Sequence, residues 1–347
     1  MDDKPDRAPG RTAASGRGVR PRRRLALRDR RPVWYPLGRT CGRTRGPGCP
    51  LSGGRKECGT LGDEVRISAE GIAYSYGDRL AVDHISFQVR AGEVLGFLGP
   101  NGAGKTTTLK MLVGLLVPQA GRVSILGRDM VREREAVQAR IGVCFEEKSL
   151  YEDMSAAANL RFFASLFGIR RPDIAGLLER VGLSAERRDR VANFSKGMKQ
   201  RLMVARALVN QPEVLFLDEP TDGLDPVSSE AIRGVIMEER TRGVSVFLTT
   251  HDMMEADKLS DRVAFIHDGR IAAYDTPENL KHAYGKRVLK VRYRADGSAA
   301  EEEIPLDDRA AAGRVQEILS THEVIDMHTE EATLEDIFIR LTGRKLD

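Results

Sequence analysis

The stretch Gly99-Pro-Asn-Gly-Ala-Gly-Lys-Thr-Thr107 decides the fold of this chain. It matches G-x-x-x-x-G-K-[ST], the pattern of the phosphate-binding P-loop. The apolar residues 93–98 before it are typical of a buried strand, and Leu109, Leu112 and Leu116 after it follow a helical spacing. A glycine-rich turn between a strand and a helix wraps backbone N–H groups around a phosphate, and the helix N-terminus adds partial positive charge. The motif therefore predicts a nucleotide-binding site.

Each position of the loop has a predicted role in phosphate binding. Lys105 is expected to reach the β- and γ-phosphates, and the hydroxyl of Thr106 is expected to bind Mg²⁺. The predicted ATP-binding residues of the loop are Gly99, Pro100, Asn101, Gly102, Ala103, Gly104, Lys105, Thr106 and Thr107.

Composition limits the class of protein. A length of 347 residues suggests about two domains. The sequence has no run of about 18 apolar residues, so we expect no membrane-spanning helix, and no apolar segment of a secretory signal follows its arginine-rich start. The cysteines, at positions 41, 49, 58 and 144, form no C-x-x-C pair. We therefore expect no zinc site and a reducing, cytoplasmic environment.

The charge is concentrated at the start of the chain. Residues 1–64 carry a net charge of +9, whereas the remaining 283 residues carry −5. Residues 1–63 are rich in Arg, Gly and Pro, and we expect this basic leader to be disordered. Three interpretations stay open. The leader is an extension without function, a basic arm that touches anionic lipid, or an arm that binds nucleic acid. A start codon assigned too far upstream would also produce an extension without function.

Strand and helix patterns alternate from residue 65 onward. Residues 65–69, 85–89 and 121–126 alternate like strands, and residues 140–145, 214–217, 244–248 and 262–266 are typical of buried strands. Helical patterns occupy 131–140, 226–241, most of 151–208, and later 308–320 and 333–342. Strands alternating with helices around a P-loop predict an α/β fold with a mainly parallel sheet. We predict a nucleotide-binding domain at 64–285 and a small α+β C-terminal domain at 286–347.

Two adjacent carboxylates end one of the buried strands, Val214-Leu-Phe-Leu-Asp-Glu-Pro220. Ligands bind at the carboxyl ends of the strands in open α/β sheets, so both acids are expected to face the P-loop. Asp218 is predicted to hold Mg²⁺, and Glu219 to orient or deprotonate the attacking water. Without a P-loop in the same chain, Asp218 and Glu219 would be better explained as a strand that ends in a solvent-exposed acidic turn.

The segment Asn193-Phe-Ser-Lys-Gly-Met-Lys-Gln-Arg201 begins with a natural helix N-cap, Ser195. About twenty residues before the Asp-Glu pair, it also resembles the signature motif of ABC transporter ATPases. The resemblance extends in order over about residues 65–285. It implies a P-loop NTPase core with an antiparallel β subdomain and an inserted helical signature subdomain. By the same resemblance, Tyr76 stacks on adenine, Thr221-Asp-Gly-Leu-Asp225 is the D-loop, and His251 is the catalytic switch histidine that contacts the γ-phosphate.

The resemblance also implies an assembly. In this family, two copies bind head to tail and hold each ATP between one P-loop and the partner's signature helix. Ser195, Lys196, Gly197 and Met198 would therefore bind ATP held by a second ATPase subunit, most simply in a homodimer. The signature and the C-terminal residues 332–343 resemble the drug- and lipid-export branch that pairs with ABC-2 type permeases. A separate transmembrane permease is the expected second partner, with no specific nucleic acid.

Two positions depart from the usual family pattern. Glu146 stands where the family usually has Gln, at the loop that senses Mg²⁺ and contacts the membrane subunit. It can still ligate Mg²⁺, but it adds a negative charge near the phosphates. Lys196 stands where the commonest signature has Gly, and it adds a positive charge at the opposing phosphate site.

These observations predict an ATP-binding and ATP-hydrolysing subunit that powers a membrane exporter. It would lie on the cytoplasmic face of the cell membrane, attached through the permease. The alternative is a soluble ABC-type ATPase acting on ribosomes or nucleic acid. Such proteins generally carry two ATPase cassettes or a long coiled coil, and this chain has neither. A non-catalytic regulator would be expected to lack Glu219 or His251, and both are present.

Overall fold

The computed structural model describes residues 64–146, 149–285, 288–295, 298–306, 310–330 and 332–344. The predictions for the leader, residues 1–63, therefore lie outside the described residues. None of the described helices is long and apolar enough to cross a lipid bilayer.

A six-stranded sheet forms the centre of the molecule. Its spatial order is β10-β9-β3-β8-β7-β6, and all neighbours are parallel except β9 and β10. The strands are β3 (Val94–Leu98), β6 (Ile141–Cys144), β7 (Val214–Asp218), β8 (Ser245–Thr250), β9 (Arg262–His267) and β10 (Arg270–Asp275). Strands β3, β7 and β8 are buried along their whole length, as expected of parallel strands covered on both faces. The predicted α/β class is confirmed.

A second, antiparallel sheet covers one side of this core. It contains β1 (Val65–Tyr76), β2 (Arg79–Arg90), β4 (Ala120–Ile125) and β5 (Arg128–Asp129), in the order β2-β1-β4-β5. Its apolar face packs on helix α1 (Lys105–Leu112) and on Phe97 and Phe247 of the central sheet. This sheet is the predicted antiparallel subdomain.

Four of the described α-helices lie between β6 and β8. Helices α3 (Ala156–Leu166), α4 (Ile174–Arg180) and α5 (Lys196–Ala207) share one apolar core with α6 (Pro226–Thr241). Residues 151–208 thus form three separate helices and not one long helical stretch. Helix α2 covers only Arg134–Gln138 of the predicted 131–140. The Asp129 carboxylate accepts hydrogen bonds from the N–H groups of Val131 and Arg132, which holds the preceding residues in a turn.

The C-terminal part contains a sheet and helices of its own. Strands β11 (Val288–Ala295), β12 (Ser298–Pro305) and β13 (Glu323–Glu330) form a small antiparallel sheet covered by α9 (Ala311–Thr321). The last helix, α10 (Leu334–Thr342), instead packs with α7 (Met253–Leu259), α8 (Pro277–Tyr284) and β9 against the nucleotide-binding domain. Strands β5, β10, β12 and β13 were not predicted. Each lies at the edge of its sheet, where few of its described residues are buried.

Candidate nucleotide site

The predicted site residues converge on one edge of the central sheet because its strands run parallel. The P-loop follows Leu98, which pairs with Thr250, and Thr249 pairs with Asp218. The carboxyl ends of β3, β7 and β8 therefore meet, as open α/β sheets require of a ligand site. We call the P-loop together with Asp218, Glu219, Thr249 and His251 the phosphate edge.

Close backbone packing gives the P-loop its shape. Gly104 has φ 111°, and a Cβ there would lie 2.5 Å from the carbonyl oxygen of Ala81. Gly104 is also the N-cap of α1 and supplies no side-chain acceptor to the first turn of that helix. The N-terminus of α1 is therefore open to an anion, whereas a serine or an aspartate would compete for its N–H groups.

Lys105 is buried at the base of this loop. Its ammonium donates to the carbonyl oxygen of Gly99 and lies 3.0 Å from Oε1 of Glu219. The Lys105 side chain is 6% exposed and that of Glu219 is 9% exposed. The structure thus brings together the two residues predicted to bind phosphate and to activate water, and each neutralises the charge of the other.

Asp218 lies beside Thr106, with which it was predicted to hold a metal ion. The hydroxyl of Thr106 is 3.3 Å from Oδ1 of Asp218, and that of Thr249 donates to the same oxygen at 2.6 Å. Burial raises the pKa of Asp218 above its ordinary value, although both hydrogen bonds favour the ionised carboxylate. A bound cation would remove the cost of keeping this buried group charged.

Glu219 has an unusual backbone conformation. Its φ is 46°, in the left-handed region that residues other than glycine seldom adopt. The backbone N–H of Glu219 donates to the carbonyl oxygen and to the hydroxyl of Thr249, both at 3.1 Å, and these contacts hold the turn. Oε2 of Glu219 is 3.0 Å from Nδ1 of His251. Strained conformations of this kind persist where a surrounding network fixes a functional side chain.

The donor set fits magnesium at the phosphate edge in part. A carboxylate and a hydroxyl are the hard oxygen ligands that Mg²⁺ takes, usually together with phosphate oxygens and water. Asp218 and Thr106 supply these two groups. In the described parts of the chain, no group of three or more His, Cys, Asp or Glu side chains is arranged to hold a metal ion, so any such ion would depend on the nucleotide for further ligands.

Glu146 is the third predicted metal ligand, and only its position along the sheet relates it to the phosphate edge. It is exposed and lies two residues beyond Cys144, which pairs with Leu217 on the neighbouring strand. That register puts Glu146 on the same edge of the sheet as Asp218 and Glu219. The structure gives it no contact with either residue, so its role stays a prediction.

Tyr76 ends β1 and is close in the fold to the P-loop. It pairs with Arg79 across the β1–β2 hairpin, and the Arg79 guanidinium reaches the P-loop at Gly102. Tyr76 is 48% exposed and packs edge-on against Tyr74, with ring centroids 4.9 Å apart. A half-exposed aromatic ring at this place is free to stack on a planar ligand.

The signature residues, in contrast, lie at the start of α5, outside the P-loop of their own chain. Ser195 is the N-cap of α5 and accepts a hydrogen bond from the N–H of Met198 at 3.2 Å. Gly197 packs against α6, where a Cβ would lie 2.2 Å from Oγ of Ser228. Among the residues that the structure describes, no hydrogen bond or ion pair joins the predicted ATP-binding residues 195–198 to the P-loop. We call these four residues the signature turn.

Sequence reasoning missed three residues of the site. The hydroxyl of Thr249 donates to the carboxylate of Asp218, and Thr249 accepts from the backbone N–H of Glu219. In the segment 249–251, the sequence analysis assigned a role only to His251. Asp222 lies between the signature turn and His251, and Thr221 donates its hydroxyl to the buried carboxylate of Glu255 in α7. All three belong to motifs that the sequence analysis identified. The spacing of residues within these motifs does not, however, distinguish side chains that position others from side chains that contact a ligand.

Comparison with known proteins supports one family. A family model described as ABC transporter matches residues 82–222. The fluoroquinolones export ATP-binding protein of Mycobacterium tuberculosis is 44% identical over 289 residues, which cover 82% of this chain and 96% of that protein. The daunorubicin resistance ATP-binding protein of Streptomyces coeruleorubidus is 37% identical, with 81% and 96% covered. The bacitracin transport ATP-binding protein of Bacillus licheniformis is 33% identical, with 80% and 97% covered.

Solved structures agree with this assignment. An ATP-binding subunit of an ABC transporter superposes with a TM-score of 0.58 at 30% identity, covering 62% of this chain and 92% of that one. A subunit of an ABC transporter complex from Clostridium perfringens gives a TM-score of 0.57 at 27% identity, covering 64% and 92%. The predicted resemblance and the export function are confirmed, and action on ribosomes is not supported. The chain belongs to the ABC transporter family and is the ATP-binding, ATP-hydrolysing subunit of an export system.

Proposed function

We propose that two copies of this chain, bound head to tail, hydrolyse ATP at two shared sites and drive a separate permease. The observation that carries the proposal is that, in the part of the chain the structure describes, no hydrogen bond or ion pair joins the signature turn to the P-loop. One chain builds a P-loop, a carboxylate pair and a histidine at one place, and an N-capped helix at another. A second copy would bring the two halves of each site together, which is the isologous arrangement of a symmetric dimer.

The side chains of the phosphate edge have distinct roles in this proposal. The P-loop and Lys105 bind the phosphates, and Tyr76 stacks on the base. Thr106 and Asp218 hold Mg²⁺ with water and phosphate oxygens, and Glu146 supplies a further oxygen at the rim. The ion would neutralise charge on the phosphates when bound.

Glu219 and His251 then act on the attacking water. Phosphate binding draws Lys105 away from Glu219, because the phosphates carry more negative charge than one carboxylate. The freed carboxylate of Glu219 accepts a proton from the water, and His251 stays within hydrogen-bond distance to hold that carboxylate in place.

The permease would determine which solute is transported. We propose that the subunit is peripheral on the cytoplasmic face, attached to a permease of the ABC-2 type. The fluoroquinolone, daunorubicin and bacitracin systems named above point to a drug- or lipid-like solute. Contacts with that solute would lie in the permease, and the direction, outward, follows the named export relatives.

The Glu219→Gln variant tests the catalytic assignment. The amide keeps the size of the side chain but cannot accept the proton, so turnover should fall at least about 100-fold while ATP still binds. ATP should then trap the dimer, visible as a shift in gel filtration. Glu230→Gln, the same change at an exposed side chain of α6, serves as the control and should hydrolyse ATP normally. Undiminished turnover in Glu219→Gln would remove Glu219 from its proposed role.

A further inference from the structure

A pocket lies where the start of α3 meets the turn formed by residues 184–190. Its volume is about 360 Å³, and its accessible lining is mostly polar. Three arginines line it, Arg161 from α3 and Arg187 and Arg188 from the turn. We call it the arginine pocket. Because most small-molecule pockets are lined mainly by apolar side chains, a lining of this kind points to a charged ligand.

Backbone hydrogen bonds hold the turn against the helix. The N–H of Ala156 donates to the carbonyl oxygen of Asp189 at 3.2 Å, and that of Ala157 donates to the carbonyl oxygen of Arg187 at 3.1 Å. These bonds use donors of the first helical turn that would otherwise be free for a ligand. The charge that the pocket presents therefore comes from the arginine side chains, which extend from a backbone that is fixed in place.

The arginines of the pocket lack a counter-charge. Among the described residues, no hydrogen bond or ion pair joins the side chains of the three arginines to a carboxylate. Counting Arg190, four arginines lie beside two acids of the same turn, Glu186 and Asp189, which leaves a surplus of two positive charges. Arg180 in α4, by contrast, pairs with two glutamates of α6. The pocket thus has donors and charge available for a ligand.

The chemistry of three guanidinium groups favours a phosphate over a carboxylate. Each guanidinium donates two parallel hydrogen bonds to an oxyanion. A carboxylate has one charge and two oxygens, whereas a phosphate has up to two charges and more oxygens around one centre. The volume is also within the range of pockets that hold small molecules, so the phosphate would fit together with the group to which it is attached.

We propose that the arginine pocket binds a phosphate group, carried either by the head group of an anionic phospholipid or by a free phosphate ester. The inference goes beyond the proposed function, because the pocket contains none of the residues of the phosphate edge or the signature turn. It requires neither ATP nor a second copy of the chain.

Two pairs of adjacent arginines allow a matched test in the full chain. Arg187→Gln with Arg188→Gln removes two cations of the pocket and should weaken phosphate binding at least about tenfold. Arg170→Gln with Arg171→Gln removes the same charge from two exposed residues beyond the other end of α3. The 11 residues of α3 span about 16 Å, which exceeds the Debye length at physiological salt. This control should stay within about twofold of wild type.

A third variant separates specific recognition from general attraction. Arg187→Lys with Arg188→Lys keeps the charge of the pocket but replaces each planar fork with a single ammonium group. Because lysine cannot donate the two parallel bonds, this variant should keep less than about half of the wild-type affinity.

Two probes distinguish the sources of the phosphate. Equilibrium dialysis with glycerol 3-phosphate measures binding of a free ester. Co-sedimentation with vesicles of phosphatidylglycerol and phosphatidylcholine in equal parts measures binding of a lipid head group. Phosphate bound at the P-loop and any attraction between the basic leader and the vesicles are common to all variants, since none of the changes touches either. A loss confined to vesicles identifies the lipid, and a loss confined to dialysis identifies the free ester.

Three results would overturn the inference. Equal losses in the two glutamine variants, or wild-type binding in the lysine variant, would show that only general attraction between charges is present. Wild-type binding of both probes after Arg187→Gln with Arg188→Gln would show that the pocket holds neither ligand. None of these results bears on the proposed dimer, which ATP turnover tests independently.

Discussion

The phosphate edge and the signature turn differ in how completely one chain builds them. At the phosphate edge, Lys105, Asp218 and Glu219 are buried and each is held by a partner from another strand or loop. At the signature turn, Ser195 is exposed and its hydroxyl contacts the first turn of its own helix. In the proposed dimer, the exposed signature turn would face the ATP bound at the phosphate edge of a second copy.

At the signature turn, we expect the largest effect from Ser195→Asp. Aspartate caps a helix about as well as serine, so α5 should remain stable. Its carboxylate would, however, repel a phosphate at the helix N-terminus, and turnover should fall at least about tenfold. Steady-state ATP hydrolysis measures this loss.

A second serine cap provides the control for this variant. Ser155 caps α3 with the same geometry, since the N–H of Ala158 donates to its hydroxyl at 3.2 Å. Ser155→Asp should leave turnover unchanged because α3 is not part of the proposed site. Equal losses in the two variants would show that the effect arises from helix capping and would remove the phosphate role of Ser195.

A smaller effect, on stability, is expected at the phosphate edge. Asp218→Asn should raise the Tm of the nucleotide-free protein by about 1–2 °C, if removing a buried charge is worth ~1 kcal/mol. The amide oxygen still accepts from Thr106 and Thr249, and Lys105 keeps Glu219 as its partner. Differential scanning calorimetry at neutral pH measures the shift.

The stabilisation expected from Asp218→Asn should depend on pH. Burial raises the pKa of Asp218, so the folded protein holds this proton more tightly than the unfolded chain does. The contribution of Asp218 to stability is therefore present at low pH and is lost as the pH rises through the folded-state pKa. The advantage of Asp218→Asn should shrink as the pH falls. An advantage that grows toward low pH would contradict the burial argument.

Most of the phosphate edge could be predicted from the sequence because its residues obey spacing rules. The P-loop must join a strand to a helix, and acids that end a parallel strand must face it, so Lys105, Thr106 and Asp218 are assigned by topology alone. Residues that position others follow no such rule. Thr249 contacts Asp218 across the sheet and Asp222 contacts His251 between loops, and only the folded chain brings these residues together.

The fold shows the same division. The buried strands β3, β7 and β8 were predicted because continuous apolar runs have few alternatives. The edge strands β5, β10, β12 and β13 were missed because they bury few residues and so lack a continuous apolar run. Helix α2 is shorter than predicted. The carboxylate of Asp129 accepts hydrogen bonds from the backbone of the next residues and holds them in a turn, where the sequence pattern predicted a helix.

The most direct test of the central claim mixes two variants that each lose most of their ATP turnover. Lys105→Ala disables the P-loop, and Ser195→Asp disables the signature turn of the other half of the site. In a head-to-tail dimer, one subunit of each kind restores one intact site, so an equal mixture should recover about a quarter of wild-type ATP turnover. A chain that carries both changes should recover nothing when it is mixed with either single variant. If the mixture of single variants stays as inactive as its components, ATP is not bound between a P-loop and a partner's signature turn, and the account is wrong.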